Sequence, residues 1–430
     1  MRRYVKIAIV VFAALLLSGC NMRTVDQLYC IPERSPAYND LRPVINEAME
    51  GLSYCAPMYG DNQQTVQPAD LDGDGVEEYL VLARDNSEKP LKILIFSQLA
   101  SGFVLMDTIE GYGMGFDFVE YAQLDDRPGL EIVVGRQVSD QVVRSLSVYR
   151  FTSGMARHLL TTGYSRLAVC DLDGNEESEL FLLTHSSAED GKGQVMFYTY
   201  QNGEMVHSPV QTTSASAADF SRFTEGELDD GRRAMFVSSE NDDKTIITDV
   251  FVKEQDHLEI VSKGVTTHAL QEYRVYPSDV DGDGVLEMAS FLPVMSPSGG
   301  KKQNILQWYS LDSQGNVTNK LCTYHNYAEG WFAVIDPQLI DSMIVEQSED
   351  ATTFCGMENG ESVPLVRLMA LTDADREEQA KQKDRIILYK GDAVIYAADI
   401  TPEGKEYGIT PEAIKEVFFP IRGGLINEED

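Results

Sequence analysis

Five stretches of this 430-residue chain repeat one pattern. They are ADLDGDGVEEYLVLAR from Ala69, AQLDDRPGLEIVVGRQ from Ala122, CDLDGNEESELFLLTH from Cys170, GELDDGRRAMFVSSEN from Gly226 and SDVDGDGVLEMASFLP from Ser278. Each is an acidic or glycine-rich loop followed by an apolar run. The spacing is about 50 residues, within the range of propellers and related arrays. A unit this short cannot bury its own apolar faces, so neighbouring units must stack and cover one another.

The text between the loops is β throughout. YLVLA, LKILIFS, FVLMDTI and FDFVEYAQL follow the first loop; LFLLT, QVMFYTY and EMVHSPV follow the third; MASFLPV, NILQWYS and VTNKLCTY follow the fifth. That is about four short strands per period, rich in Val, Ile, Tyr and Phe and separated by turn residues. The strand after each loop is apolar at nearly every position, as expected for a strand covered on both faces. The expected fold is mainly β: a β-propeller of about five four-stranded blades, whose repetition leaves only short edges.

The loops read as divalent-cation sites. A hard cation such as Ca²⁺ takes six to eight oxygens, and alternate residues of a tight turn can aim carboxylates at one point. In the first loop, Asp70, Asp72 and Asp74 hold positions one, three and five, Gly75 makes the turn, the Val76 carbonyl is at seven and Glu78 at nine. The fifth repeats this with Asp279, Asp281, Asp283, Gly284, Val285 and Glu287. The third has Asp171, Asp173, Asn175 and Glu179, with Glu176 where glycine is preferred. The second departs at Gln123 and Arg127, and the fourth at Gly231 and Met235 in the fifth and ninth positions. Loops one, three and five are expected to bind structural Ca²⁺, and two and four to be metal-free turns. An EF-hand does not fit: a strand follows each loop, and Val81 and Ser290 stand where its twelfth-position Glu belongs.

The N-terminus sets the compartment. Arg2, Arg3 and Lys6 precede an apolar run from Ile7 to Leu17, too short to span a bilayer at about 20 residues but right for a secretory h-region of roughly 7–15. It ends in Leu17-Ser18-Gly19-Cys20, which resembles a bacterial lipobox. The resemblance implies a signal peptide over 1–19, lipidation of Cys20 and a membrane-anchored protein on the extracellular face.

The repeats over roughly 64–326 resemble the FG-GAP/VCBS repeats of integrin-α-like propellers, in which an acidic loop joins the first and second strands of a blade. The combination of lipobox, helical lead-in and repeats also resembles poorly characterised lipoproteins of Gram-positive bacteria. Proteins of many functions share this repeat, so the resemblance implies a fold and a Ca²⁺ role, not a ligand.

Residues 20–63 form a tether and helical lead-in. Residues 36–52 read as one helix: Leu41, Val44, Ile45, Ala48 and Met49 make one apolar stripe at helical spacing, and Pro43, tolerated best in a first turn, places the start of its regular part near Asp40. From 327 to 430 the period stops. Strand-like runs, a polar helical stretch from Asp373 to Lys383 and a Thr410-Pro411 helix start predict a small α+β domain, with an irregular sixth blade as the alternative.

Composition narrows the partners. With 35 basic and 69 acidic side chains, the net charge is 35 − 69 = −34. Such a surface repels phosphate backbones, so nucleic acid is not an expected partner. Cys170, Cys322 and Cys355 sit in strand-like text as small hydrophobes, and the spacing of Cys30 and Cys55 leaves a disulfide between them open. The six histidines are scattered without H-E-x-x-H, and G-x-S-x-G is absent. The first reading is therefore a non-catalytic lipoprotein whose propeller face binds a protein, glycan or envelope component. A propeller-type carbohydrate-active enzyme, a glycosidase or lyase, stays open as the alternative. Convergent carboxylates beside aromatics, away from the Ca²⁺ loops, would favour the enzyme, and an apolar or mixed patch would favour binding.

Overall fold

The computed structural model describes residues 36–138, 144–186, 191–267, 274–293, 304–358, 360–382 and 384–421. Cys20 and Cys30 lie outside the described residues. Cys55, Cys170, Cys322 and Cys355 are not joined to one another.

The chain is mainly β and builds six antiparallel sheets in succession. Blade 1 takes Val66–Ala69, Glu78–Arg84, Leu91–Leu99 and Gly102–Gly111 in that order, with Ser53–Tyr54 added beside the second strand. Blade 2 runs Gly115–Ala122, Glu131–Gln137, Arg144–Thr152 and Met155–Tyr164. Blade 3 runs Arg166–Cys170, Glu179–His185, Lys192–Gln201 and Glu204–His207, with Gln211–Ser216 also on its third strand. Blade 4 runs Phe220–Glu227, Arg233–Glu240, Ile246–Glu254 and His257–Thr267. Sequential strands pair with their neighbours and each blade leads into the next, which is the connectivity of a β-propeller.

The apolar second strands show why the blades must stack. Successive side chains of a strand point to opposite faces. In blade 1, Leu80 and Leu82 share a core with Ile132 and Val134 of blade 2, while Val81 and Ala83 pack on the other side. Val133 turns the opposite way and meets Leu180 and Leu182 of blade 3. Phe181 and Leu183 meet Met235 and Val237 of blade 4, and Ala234 and Phe236 meet Met288 of blade 5. Each second strand is thus buried on both faces, as its unbroken apolar text predicts.

The two ends of the succession are covered differently. Helix α1 (Pro36–Ala48) lays Leu41, Ile45 and the following Met49 on the free face of blade 1, against Val81, Ala83, Leu94 and Phe96. The helix is regular from Pro36 rather than from near Asp40, with Pro43 inside it. Pro43 has no N–H to donate, so one helical bond is forgone, and burial of the stripe holds the remainder. At the other end, Ala380 covers Met369, Leu371, Ile395 and Ala397 of blade 6. Among the described residues no buried cluster joins blade 6 to blade 1.

Residues beyond the repeats first complete the fifth sheet. Blade 5 contains Met288–Pro293, Asn304–Leu311, Val317–Asn326 and Trp331–Ile335, and Phe418–Pro420 returns to pair with its last strand. Ile344–Gln347, Thr352–Glu358, Glu361–Leu371, Ile386–Lys390 and Ile395–Ile400 form blade 6, which shares a core with blade 5 through Tyr324, Trp331, Val366 and Leu368. The helices are short: the expected α2 (Arg376–Gln379) within the polar stretch, an unexpected α3 (Pro402–Glu406), and the expected α4 (Pro411–Val417), where Thr410 Oγ1 accepts from Ala413 N at 3.2 Å as an N-cap.

Candidate metal centres

Loops one to four join the first and second strands of their blades, loop five leads into the first strand of blade 5 and is closed by a single Ser278–Glu287 bridge, and all five lie in one row. The Leu130 amide of loop two donates to the Asp70 carbonyl of loop one at 3.2 Å, Ser178 of loop three to Gln123 of loop two at 2.7 Å, and Leu286 of loop five to Glu227 of loop four at 3.0 Å. Between loops three and four the Arg233 side chain makes the link, reaching the Asp171 carbonyl at 2.8 Å. The approach is close: a Cβ on Gly73 (φ +75°) would fall 2.3 Å from Pro128.

Within loops one, three and five, the first-position aspartate organises the turn. Asp70 accepts from the Gly73 and Gly75 amides at 2.8 and 3.0 Å, and Asp279 from Gly282 and Gly284 at 2.7 and 3.0 Å. Asp171 does the same toward Gly174 and Glu176 at 2.7 and 3.1 Å. Position six requires a left-handed backbone, φ +84° at Gly75 and +90° at Gly284. Glu176 adopts it with a side chain, at φ 70°, a conformation costing of order 1 kcal/mol or more outside glycine.

Three predicted ligands of each loop come together. Asp70, Asp72 and Glu78 offer oxygens within 4.8 Å of one another, as do Asp171, Asp173 and Glu179, and Asp279, Asp281 and Glu287. The fifth-position carboxylates, Asp74 and Asp283, lie outside these groups. Asp74, Asn175 and Asp283 each fold back onto the amide two residues on, at 2.7, 2.7 and 2.9 Å. Val76 and Val285 enter these bonds through their amides.

The ninth-position glutamate is the buried member. Glu78, Glu179 and Glu287 are all nearly inaccessible. One oxygen, Oε2, accepts from the second-position amide in each loop: Leu71 at 3.0 Å, Leu172 at 2.8 Å and Val280 at 2.9 Å. Loop two keeps the same bond, Leu124 to Glu131 at 2.9 Å. The other oxygen, Oε1, distinguishes the loops. In loop two it meets Arg150 Nε at 2.7 Å, while the same guanidinium contacts Asp125. In loop three it meets Lys253 Nζ at 2.5 Å. In loop five it is buried with no hydrogen-bond partner.

Electrostatics follow from this. Burial, then Asp281 and Asp283, push the Glu287 carboxyl up to about 7, against the pull of the Val280 amide. Burial chiefly raises Glu78 too, opposed by the Leu71 amide and Ser97. Burial works against the charge of Lys253, but its bonds to Asp173 and Glu179 outweigh it and hold the ammonium charged.

Loop four has lost the site. Ala69 pairs with Glu78, Ala122 with Glu131 and Cys170 with Glu179, but Gly226 pairs with Ala234. The loop is one residue shorter, so Ala234, not Met235, holds the structural place of the glutamate. Asp229 instead takes Ser310 Oγ at 2.7 Å and Lys320 at 3.3 Å, and Lys320 also reaches Asp283 at 2.8 Å.

Sequence reasoning missed Arg150, Lys253 and Lys320. The available signal was a basic residue near the end of a buried third strand, SVYRF and VFVKE.

Apart from the loops, a cavity of about 360 Å³ opens between blades 5 and 6, lined by Ile335, Met343, Phe354, Leu365, Val366 and Ile414 among others. Its single carboxylate, Asp336, caps a 3₁₀ turn through the Gln338 amide at 2.9 Å.

No protein-family model matches the chain, and no curated protein matches it significantly. Among solved structures it is similar to the β-propeller domain of the Trilobed protease from Pyrococcus furiosus (11% identity, 71% of this chain and 91% of that one, TM-score 0.27). It is also similar to a Bacillus licheniformis rhamnogalacturonan lyase (13%, 73% and 71%, TM-score 0.29) and to Chaetomium thermophilum Sqt1 (10%, 81% and 98%, TM-score 0.30). These likenesses are too distant to assign an activity; the propeller rests on strand order and shared cores.

Proposed function

We propose that this protein is an extracellular lipoprotein, anchored through Cys20, whose FG-GAP/VCBS-like propeller is braced by structural Ca²⁺ and serves as a non-catalytic binding head. Loops one and five are the proposed Ca²⁺ sites, built on Asp70, Asp72 and Glu78 and on Asp279, Asp281 and Glu287, with Asp74, Val76, Asp283 and Val285 beside them. The observation that carries the reading is Glu287. Its Oε1 is buried without a partner, and its carboxylate offers an oxygen within 4.8 Å of oxygens from Asp279 and Asp281. Three carboxylates held this close repel unless a cation joins them, and hard oxygen donors suit Ca²⁺. Extracellular Ca²⁺ modules bind at about 10⁻⁴–10⁻³ M, which fits a site facing the medium.

The cavity between blades 5 and 6 offers an apolar surface suited to binding, with its one carboxylate engaged in a cap. A protein, glycan or other envelope component remains the partner class, the first two at the propeller face, with the membrane contacted through the lipid.

The test is thermal. At Ca²⁺ about tenfold above its dissociation constant, each site adds about 1.4 kcal/mol, enough for a melting shift of a few degrees. Chelator should remove the shift. Glu287→Gln should melt higher than wild type in chelator, because it removes a buried charge, and should lose part of the Ca²⁺ response. Identical wild-type melting curves with Ca²⁺ and with chelator would refute the metal reading. Anchoring is tested apart: Cys20→Ser should lose acyl mass and detergent partitioning, and unchanged behaviour would refute it.

A further inference from the structure

We propose that the third loop is a cation site already filled by the protein's own Lys253, and that this one side chain keeps Ca²⁺ out. The proposal rests on the Ca²⁺ reading of loops one and five and extends it. Loop three has the same framework: Asp171 bonded to the turn amides, Glu179 Oε2 on the Leu172 amide at 2.8 Å, and Asp173 in the same cluster. Lys253 Nζ lies 2.5 Å from both Asp173 Oδ2 and Glu179 Oε1. In loop five the corresponding Oε1 of Glu287 is bare.

Loop two arrives at the same arrangement by another route. Arg150 comes from blade 2 itself, whereas Lys253 comes from blade 4, next to the blade it serves. In both, a cationic side chain sits on the third- and ninth-position carboxylates. Among the described residues, no ion pair reaches Asp70, Asp72 or Glu78, nor Asp279, Asp281 or Glu287; Lys320 touches only Asp283 of loop five.

Charge explains the exclusion. The loop-three cluster carries −3 from Asp171, Asp173 and Glu179. Lys253 and Arg233, the latter 2.9 Å from Asp171 Oδ2, reduce this to −3 + 2 = −1. A divalent ion must then either sit against an ammonium or expel it. Lys253 is 8% exposed, and expulsion strips a buried charge of both counter-ions, which is strongly unfavourable. Arg233 and Lys253 together also tie blade 4 to blade 3, so the lysine supplies the cross-link between neighbouring loops without a metal.

The experiment is a Ca²⁺ stoichiometry measurement by equilibrium dialysis on the full chain in detergent. Wild type should bind two ions and Lys253→Met three. Asp173→Asn in the wild type should leave two, and Asp281→Asn should leave one. Should Lys253→Met fail to fold by circular dichroism, Lys253→Gln replaces it with the same expectation, and Asp173→Asn tests the claim without touching the lysine. Three ions in wild type, or loss of one through Asp173→Asn, would overturn the proposal. So would two ions in both wild type and a folded Lys253 variant, leaving the reading of loops one and five intact. No bound Ca²⁺ in any variant would overturn both.

Discussion

His325 shows how an unannounced residue governs pH behaviour. It is 4% exposed and lies among Trp308, Tyr327 and Phe332, with its ring stacked at 5.1 Å on Phe332. Nε2 is 2.8 Å from Thr323 Oγ1, and Nδ1 is buried without a partner. Burial lowers its pKa to about 3 from 6.5. The unfolded chain therefore takes up a proton between about pH 6.5 and 3 while the folded chain does not, so stability is complete above 6.5 and is lost as pH falls through that window. At pH 5 the loss is roughly 2 kcal/mol from this group. Denaturant midpoints at pH 7 and pH 5 for wild type and His325→Phe isolate this contribution, because raised carboxyls such as Glu287 titrate alike in both. The variant should be more stable at pH 5 relative to pH 7 than wild type by roughly 2 kcal/mol, and an equal pH dependence in the two would refute the assignment. Nothing near His325 in the sequence marks it, because its environment is assembled by strand pairing. The loop aspartates are the opposite case. Their geometry is set within ten consecutive residues, so spacing alone located them, whereas Lys253 reaches Glu179 from 74 residues away and was invisible to spacing.

At the scale of the element, helix α1 is legible because its stripe is periodic: it begins at Pro36, as the 36–52 reading has it, and ends at Ala48, short of residue 52. Its regular part extends before Asp40 because burial of the stripe offsets the hydrogen bond that Pro43 forgoes. Leu41 is fully buried with Ile45 against Val81, Ala83 and Phe96, so the helix seals a face that no other blade covers. Leu41→Ala should cost about 2–5 kcal/mol, the range for large-to-small core changes. Glu47→Ala, on the exposed face, should stay within about 0.5 kcal/mol. Chemical denaturation of the two variants measures both. Equal, small effects would mean that the helix does not cap the blade. Sequence reading was weaker at the C-terminus for a related reason: Phe418–Pro420 pairs with Trp331–Ile335 across more than 80 intervening residues, and no local pattern announces such a return.

Across the molecule, the row of loops distributes its cross-links unevenly. Loops two and three are held by Arg150 and by Lys253 with Arg233, whichever cation the solvent supplies. Among the described residues, no such side chain reaches the carboxylate trios of loops one and five, so under the proposed function their cohesion depends on Ca²⁺. Chelation should therefore loosen the row at two separated points and spare the stretch between them. Hydrogen–deuterium exchange can read this directly, since the relevant amides are bonded to the carboxylates in question: Leu71, Gly73 and Gly75 in loop one, and Val280, Gly282 and Gly284 in loop five. Peptides covering 69–80 and 278–290 should exchange faster in chelator, while those covering 122–129 and 170–181 should not change. A rise of the same size in all four would show that the row opens as one unit and that the internal cations do not brace it. No rise in any of them would remove the metal from the account of how this propeller holds together.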